Sequence, residues 1–257
     1  MQQPCIEVKG LNFNYPDGTK ALEDLNLEIE AGRTYGLIGP NGAGKSTFLL
    51  HVNGILSGRG AISVFGLPVL EKNLTSIRSQ VGLVFQDPDS QLFMPTVFDD
   101  VAFGPLNMGM PVDKVREAVV RALEEVDMLP AIKRSSHHLS FGEKKRICLA
   151  TVLSMSPKVL LLDEPTANLD PKHRRQLIRL LERLRITKVI ATHDLELVGE
   201  LCSRVILLDQ GRLIVEETAD TVLSNTALLE AHGLEMSVCP GRERSGVLPD
   251  RERFSPA

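Results

Sequence analysis

The 257-residue chain is 43% hydrophobic and 24% charged, a composition that fits a globular enzyme and excludes a disordered or fibrous protein. It carries 29 Lys and Arg against 33 Asp and Glu, and the formal net charge of -4 provides no overall basic field for binding nucleic acid. Its longest apolar runs have strand length, far below the roughly 18 residues of a membrane span, and its first residues lack the basic and apolar regions of a secretory signal. We therefore expect a cytoplasmic protein that binds any polyanion at a local site.

The first third of the chain predicts three strands followed by a helix. The strands are expected at residues 6–8, 25–29 and 33–38, with turn-forming residues between them. The third strand runs directly into a glycine-rich segment, after which apolar residues recur at helical spacing from Lys45 to about Gly54. This order predicts a strand, a loop and a helix as one unit.

The rest of the chain continues this alternation. Strands are predicted at residues 81–85, 159–162, 188–191 and 205–208, and helices at 112–126, 141–155 and 171–185. The pattern predicts an α/β fold with a mostly parallel sheet. Helical patterns and prolines from about 87 to 155 predict an inserted α-helical subdomain within a domain of residues 1–236. The tail, residues 237–257, is rich in Pro, Gly, Ser, Arg and Glu and is predicted to be disordered.

A phosphate-binding loop is predicted between the third strand and the first helix, because the segment fits Gly-x-x-x-x-Gly-Lys-Ser in the strand–loop–helix context that this pattern requires. Glycines let main-chain N–H groups converge on phosphate oxygens, and the following helix directs its positive end to the same point. Lys45 is expected to reach the β- and γ-phosphates of a nucleotide, and Ser46 to ligate Mg2+. The predicted nucleotide-binding residues of this loop are Gly39, Pro40, Asn41, Gly42, Ala43, Gly44, Lys45, Ser46 and Thr47.

Two acids end the apolar strand predicted at residues 159–162. Since the carboxyl ends of parallel strands meet at one edge of an α/β sheet, Asp163 and Glu164 are expected to face the phosphate loop. Asp163 is predicted to hold Mg2+ and Glu164 to polarise the attacking water as general base, whereas an acid pair alone also occurs at solvated strand ends. His193 follows the next apolar strand and is predicted to contact the γ-phosphate and orient water, although a lone histidine is more often structural.

The segment Leu139-Ser140-Phe141-Gly142-Glu143-Lys144-Lys145-Arg146 begins a predicted helix and resembles the signature sequence of ATP-binding-cassette (ABC) ATPases. The resemblance covers residues 5 to about 217, with the family's motifs in order: Tyr15, the phosphate loop, Gln86, the signature, Asp163-Glu164, Asn168-Leu169-Asp170 and His193. It implies a P-loop NTPase core with a mostly parallel sheet, an N-terminal antiparallel β subdomain and an inserted α-helical subdomain. It also implies an enzyme that hydrolyses ATP with Mg2+ as cofactor.

The resemblance assigns roles to further residues. Tyr15 would stack on adenine, the alternative being an aromatic side chain at a strand edge. Gln86 would touch Mg2+ and the attacking water and would link the site to the helical subdomain. Ser140 and Gly142 would donate hydrogen bonds to the γ-phosphate.

Two signature positions depart from the commoner pattern, with Phe141 in place of Gly and Glu143 in place of Gln. Glu143 adds an anion close to the expected triphosphate. The three basic residues that follow, 144–146, are expected either to offset this repulsion or to form a solvated helix face.

Members of this family place the phosphate loop of one subunit against the signature of another, so that two ATP molecules lie inside a two-fold dimer. The resemblance therefore implies a second ABC ATPase subunit as a partner, with a homodimer as the expected form. Asp170 is expected at this dimer interface. An Asp before Pro171 also suits a helix N-cap, and the two roles can coexist.

Two short stretches, residues 85–93 and 103–107, resemble the ATPases of energy-coupling-factor importers, especially those of the cobalt and nickel group. This resemblance implies a transmembrane coupling protein and substrate-binding membrane subunits as partners, and a position at the cytoplasmic face of the cell membrane. A cytoplasmic helix of the coupling protein would sit near residues 86–103. The apolar residues there either form its seat or belong to the subdomain core: Leu92, Phe93, Met94 and Phe98.

Two other functions remain open: a soluble ABC ATPase that acts on ribosomes or nucleic acid, and the ATPase of a vitamin importer. The first is disfavoured because the chain has one cassette, no long coiled coil and no basic face. His137 and His138 lack a third ligand at useful spacing, so no metal site is predicted there. The cysteines are scattered without a CxxC pair, which predicts reduced thiols: Cys5, Cys148, Cys202 and Cys239.

Overall fold

The structure, a computed structural model, describes residues 4–235. The strands in this range are β1 (Ile6–Asn14), β2 (Lys20–Ile29), β3 (Thr34–Ile38), β4 (Arg59–Val64), β5 (Leu67–Pro68), β6 (Val81–Val84), β7 (Val159–Asp163), β8 (Thr187–Ala191), β9 (Arg204–Asp209) and β10 (Arg212–Thr218). The α-helices are α1 (Lys45–Val52), α2 (Leu74–Arg78), α3 (Val97–Asn107), α4 (Val112–Glu125), α5 (Phe141–Leu153), α6 (Pro171–Arg183), α7 (Leu195–Leu201), α8 (Ala219–Ser224) and α9 (Thr226–Ala231). The predicted tail, residues 237–257, lies outside the described residues.

The larger sheet has the strand order β10-β9-β3-β8-β7-β6. All neighbours from β9 to β6 are parallel, and β10 adds one antiparallel edge. The unbroken apolar run of β7 is buried along four of its five residues, as expected of a parallel strand covered on both faces. The predicted α/β fold with a mostly parallel sheet is confirmed.

A hydrophobic core lies on each face of this sheet. Because successive residues of a strand point to opposite faces, Leu37 of β3 joins one core and its neighbour Ile38 the other. Leu161 and Leu162 of β7 divide in the same way. The core around Ile38 and Leu162 is completed by helices, whereas the other contains residues of β1, β2 and α1.

The smaller sheet is antiparallel and has the order β2-β1-β4-β5. Residue Ile6 of β1 lies between Ile29 of β2 and Val64 of β4, and all three are buried. This sheet is the expected N-terminal antiparallel β subdomain, which is thereby confirmed. Its strand β4 was not predicted because it begins with Arg59 and other exposed residues, which give no apolar alternation.

Between β6 and β7 the chain forms three helices, α3, α4 and α5, which pack against one another. Helix α3 was not predicted, since the prolines of this segment are typical of loops and Pro105 lies inside the helix. Its start is capped by Thr96, whose Oγ1 accepts a hydrogen bond from the N–H of Asp99 at 3.2 Å. Among the helices of residues 4–235, none combines the length and the apolarity needed to cross a membrane.

Three cysteines lie in the described range, and all three are buried free thiols: Cys5, Cys148 and Cys202. Burial raises the pKa of Cys148 and of Cys202 to about 12, so both remain protonated and unreactive at neutral pH. Cys239 lies outside the described residues.

Candidate active site

The loop between β3 and α1 curls tightly because its glycines lie against neighbouring main chain. A Cβ atom on Gly39 would lie 2.0 Å from the carbonyl O of Leu208, and one on Gly44 would lie 2.5 Å from that of Ala21. Gly44 also has a φ of +100°, in the region that favours glycine. These glycines let the loop approach β9 and β2 and start α1 directly at Lys45.

Lys45 brings a positive charge into this loop. It is 7% exposed, and its Nζ donates hydrogen bonds to the carbonyls of Gly39 at 2.7 Å and Pro40 at 3.0 Å. Burial lowers the pKa of Lys45, and the carboxylates of Glu164 and Asp163 oppose that effect. A phosphate at this point would meet the ammonium and the N–H groups of the loop together.

Ser46 and Asp163, two of the three predicted metal ligands, lie side by side. The Oγ of Ser46 donates to Oδ1 of Asp163 at 3.0 Å. Burial raises the pKa of Asp163, while the hydrogen bond from Ser46 lowers it. A hydroxyl and a carboxylate are hard oxygen donors, and Mg2+ bound together with phosphates needs only one or two protein ligands. The donor set therefore fits Mg2+. Residues 4–235 contain no cluster of three or more His, Cys, Asp or Glu side chains that could hold a metal alone.

Glu164 follows β7 and is 8% exposed. Its Oε2 accepts from Oγ1 of Thr192 at 3.0 Å, and its Oε1 accepts from the N–H of His193 at 3.2 Å and from Nδ1 of that residue at 2.8 Å. Because an ionised carboxylate only accepts, we assign the proton of the imidazole to Nδ1. The φ of Glu164 is +42°, a strained conformation that is common at functional sites.

Tyr15 contacts α1 through a hydrogen bond and through the ring of Phe13. Its hydroxyl lies 2.9 Å from Oγ1 of Thr47, and its ring packs edge-to-face on Phe13 with the centroids 5.1 Å apart. Phe13 packs in the same way on His51, at 4.7 Å, and Nδ1 of His51 lies 2.7 Å from the carbonyl O of Thr47. These contacts hold Tyr15 beside the phosphate loop, where a base could stack on it.

An open cavity of about 440 Å³ brings most of the predicted site residues together. Gln86 reaches it from the exposed segment after β6. The predicted residues in its lining are Tyr15, Asn41, Gly42, Ala43, Gly44, Lys45, Ser46, Thr47, Gln86, Asp163, Glu164 and His193. Five predicted residues do not line the cavity: Gly39 and Pro40, which belong to the phosphate loop, and Ser140, Gly142 and Asp170, which lie elsewhere on this chain.

The signature residue Glu143 has a structural role that the sequence analysis did not anticipate. Ser140 is the N-cap of α5, and its Oγ accepts from the N–H of Glu143 at 3.3 Å while its own N–H donates to Oε2 of Glu143 at 2.8 Å. This capping box lowers the pKa of Glu143. Glu143 forms an ion pair with Arg134, 3.7 Å away. Residues 144–146 were expected either to offset its charge or to form a solvated helix face, and of these Arg146 helps to lower its pKa without forming an ion pair.

Gly142 is confined by a side chain of its own subunit. A Cβ atom at Gly142 would lie 2.5 Å from Cγ and 2.9 Å from Cβ of His173. The ring of His173 is held by Asp170, whose Oδ2 lies 2.6 Å from Nδ1. Asp170 also caps α6, because its Oδ1 accepts from the N–H groups of Lys172 and His173. The N-cap role of Asp170 is therefore observed.

Sequence reasoning missed three residues that line the cavity, Thr19, Lys20 and Ala21, and it also missed the part played by Lys145. Its neighbours predicted a solvated or charge-balancing helix face, yet Lys145 is 2% exposed and its Nζ contacts the main chain of Gln86 and Glu164. Burial lowers the pKa of Lys145. No signal in the sequence distinguishes Lys145 from its basic neighbours Lys144 and Arg146.

The four apolar residues considered as a seat for a partner helix separate in the structure. Leu92 is 3% exposed and belongs to the core, and Phe98 packs partly buried against that core. Met94 is half-buried, whereas Phe93 is 59% exposed. Phe93 packs edge-to-face on the exposed Phe103, with the centroids 5.0 Å apart. Of the four residues Phe93 alone is exposed, and it forms an exposed apolar pair with Phe103.

Comparison with known proteins identifies a family and related chains. A family model described as ABC transporter matches residues 22–167. A putative ABC transporter ATP-binding protein of Gloeobacter violaceus is 51% identical over 245 residues, which cover 94% of this chain and 100% of that protein. An energy-coupling factor transporter ATP-binding protein, EcfA, of Methanothermobacter thermautotrophicus is 45% identical over 237 residues, which cover 90% of this chain and 76% of that protein.

A solved structure has a similar fold over most of its length. It is cbiO1 from Clostridium perfringens, described as part of the ABC transporter complex cbiONQ. The two structures superpose with a TM-score of 0.78 at 39% sequence identity, over 91% of this chain and 96% of that one.

Proposed function

This chain belongs to the ABC transporter family and is an ATPase, and from that premise we propose that it drives an importer of the energy-coupling-factor type. The proposed substrates are cobalt or nickel ions, which pass through the membrane subunits and not through this chain. The cavity in which the phosphate loop, the acids after β7, Gln86 and His193 meet carries the ATPase part of the proposal. The similarity to EcfA and to cbiO1 supports the importer part.

In the proposed reaction the loop binds the triphosphate. Lys45 supplies the counter-charge of the β- and γ-phosphates, and the N–H groups of residues 41–47 surround their oxygens. Tyr15 offers its ring to adenine, a contact that needs no hydrogen bond to the base. Ser46, Asp163 and Gln86 would hold Mg2+, which neutralises charge that develops on the phosphates.

Glu164 is proposed as the general base. A water placed for in-line attack on the γ-phosphorus would give its proton to this carboxylate as the bond between phosphorus and the leaving oxygen breaks, and ADP and phosphate result. His193 is the exposed partner of Glu164, with a side chain 64% exposed against 10% for the glutamate. His193 is therefore proposed to orient the water and the γ-phosphate.

ATPases of this family work as dimers together with membrane subunits. We propose a homodimer in which Ser140 and Gly142 of one subunit complete the phosphate site of the other. The separation of these two residues from the cavity of their own chain supports this arrangement, because one chain alone leaves the γ-phosphate without them. Asp170 is proposed to lie at the dimer interface.

A transmembrane coupling protein is proposed to dock on the exposed pair Phe93 and Phe103. Both residues follow Gln86 along the chain, so a helix seated there would move with the loop that reaches the nucleotide. This placement would put the chain at the cytoplasmic face of the cell membrane. Two exposed aromatic rings in contact are a suitable anchor for an apolar helix face.

The test is reconstitution. The chain is purified together with its membrane subunits, placed in liposomes that enclose Mg-ATP, and assayed for uptake of cobalt or nickel ions by the complexes whose ATPase faces the lumen. Uptake that stops in the Glu164→Gln variant is the expected result. Uptake of a vitamin in place of the ions would overturn the substrate assignment, and cofractionation with ribosomes in place of membranes would overturn the transport assignment.

A further inference from the structure

The ammonium of Lys145 joins two loops of the active site through their main chains. Lys145 lies in the second turn of α5, and its Nζ donates to the carbonyl O of Gln86 at 2.7 Å and to that of Glu164 at 3.1 Å. Both acceptors are main-chain atoms, so the two side chains remain available for chemistry. At 2% exposure, the lysine has exchanged hydration for these contacts.

The carbonyls of Gln86 and Glu164 lie beyond the last paired residues of β6 and β7. The parallel register of β6 and β7 ends at the pair Val84 and Leu162. Beyond it the chain at Gln86 leads towards the helical insertion, while Glu164 adopts its φ of +42° and donates its N–H to Ala191 of β8. Lys145 therefore connects the strand ends past the last paired residues.

We propose that Lys145 is a positioning residue for ATP hydrolysis, which sets the distance between the loop of Gln86 and the strand end that carries Glu164. The inference rests on the proposed roles of Gln86 and Glu164. Lys145 acts through the main chain of these residues and contacts none of the reacting atoms. A shift of about 1 Å in a catalytic group is enough to slow a reaction substantially, so this spacing matters for turnover.

The same lysine also reaches the signature. Its Nζ lies 5.7 Å from the centre of the ring of Phe141, the signature residue that departs from the commoner glycine. In the proposed dimer the signature faces the nucleotide of the other subunit. Lys145 thus connects the turn that senses one nucleotide with the residues that hydrolyse the second, within one chain.

The test compares Lys145→Met with a matched control, Lys188→Met. Lys188 is likewise buried, 5% exposed, and its Nζ donates to two main-chain carbonyls, of Leu184 at 2.7 Å and Ile186 at 3.3 Å, away from the cavity. The kcat of ATP hydrolysis, the Kd of a non-hydrolysable ATP analogue with Mg2+ and the melting temperature are measured for both variants of the full chain.

Lys145→Met is expected to lower kcat by at least about 10-fold while the Kd of the analogue changes by less than about 3-fold. Lys188→Met is expected to lower the melting temperature similarly and to keep kcat near that of the wild type. Lys145→Gln retains a hydrogen-bond donor and should recover part of kcat. If the methionine variant does not fold, the comparison is made with Lys145→Gln alone.

Equal losses of kcat in the Lys145 and Lys188 methionine variants would overturn the inference, because the effect would then belong to stability. An unchanged kcat in both Lys145 variants would overturn it as well. Failure of the proposed role of Glu164 looks different, since Glu164→Gln would then keep near-normal turnover whatever the Lys145 variants show.

Discussion

The Nδ1 atom of His193 lies 2.8 Å from Oε1 of Glu164, and the N–H of the same histidine donates to that oxygen at 3.2 Å. Its main chain positions the carboxylate of Glu164 from β7, and hydrogen bonds from His193, which follows β8, hold it from the neighbouring strand. A proton acceptor held in this way loses little orientational freedom when the reaction begins.

Glu164→Gln should separate chemistry from binding. The amide keeps the size of the side chain and can still accept from His193, but it cannot take a proton from water. We expect kcat to fall by about 10² to 10⁴, with ATP affinity preserved and a closed dimer accumulating. Single-turnover kinetics and size-exclusion chromatography measure these effects, with Glu182→Gln on the exposed face of α6 as control. Near-normal turnover would make His193 the next candidate for the base.

Lys45→Ala should show the opposite pattern. Removal of the ammonium deprives the triphosphate of a charge-assisted hydrogen bond, of a kind that contributes about 1.5 to 3 kcal/mol. The Kd of Mg-ATP is then expected to rise by roughly 10- to 150-fold, as measured by calorimetry or by displacement of a fluorescent analogue. An unchanged Kd would contradict the placement of the phosphates at this loop.

Mg-ATP should stabilise the purified Glu164→Gln chain, in which hydrolysis does not deplete the ligand. At a concentration about 100-fold above Kd, binding adds roughly 2.7 kcal/mol to the free energy of unfolding. The melting temperature is measured with ATP in the presence of Mg2+ and then of a chelator. A smaller shift with the chelator supports the metal assignment of Ser46 and Asp163, whereas equal shifts speak against it.

Two substitutions at Tyr15 distinguish stacking from hydrogen bonding. Tyr15→Phe loses only the contact with Oγ1 of Thr47 and should change the Kd of ATP by less than about 5-fold, since a neutral hydrogen bond contributes about 1 kcal/mol. Tyr15→Ala also loses the ring and should weaken binding further, because stacking of a base on an aromatic contributes about 1 to 3 kcal/mol. Equal effects of the two substitutions would place adenine elsewhere.

The double substitution Phe93→Ser and Phe103→Ser should release the membrane partner. Both rings are exposed, so the isolated chain should keep its melting temperature and its ATPase activity. Co-purification with the membrane subunits is expected to drop sharply, whereas Ile214→Ser, at an exposed residue of β10, should leave it intact. Retention of the partner by the double variant would exclude this surface as the docking site.

The motifs with a strict spacing could be predicted from the sequence. The phosphate loop was recognisable because glycine, lysine and serine stand between a strand and a helix, and the acids after β7 because an apolar run ends there. The ABC resemblance and the α/β fold were confirmed by the comparisons and the structure. The predicted chemical roles of Glu164, Gln86 and His193 stay predictions, which the variants above address.

Other features depend on tertiary contacts that no local pattern reveals. Lys145 stands in a run of three basic residues that is typical of an exposed face, and only the packing of α5 beneath two loops buries it. Glu143 could be read as an anion near phosphate, although the pattern of Ser and Glu three residues apart is also that of a capping box. Leu92 and Phe93 are adjacent apolar residues, yet one lies in the core and the other on the surface.

The contact between Gly142 and His173 limits how the signature can change during evolution. A side chain at residue 142 would collide with both Cγ and Cβ of His173. The hydrogen bond to Asp170 holds the ring of His173 in place, so the ring cannot simply move aside. A larger residue at position 142 therefore requires a smaller one at position 173. Among related chains the residues at positions 142 and 173 are therefore expected to vary together. The residue in the first turn of α6 thus limits which residues the signature can carry.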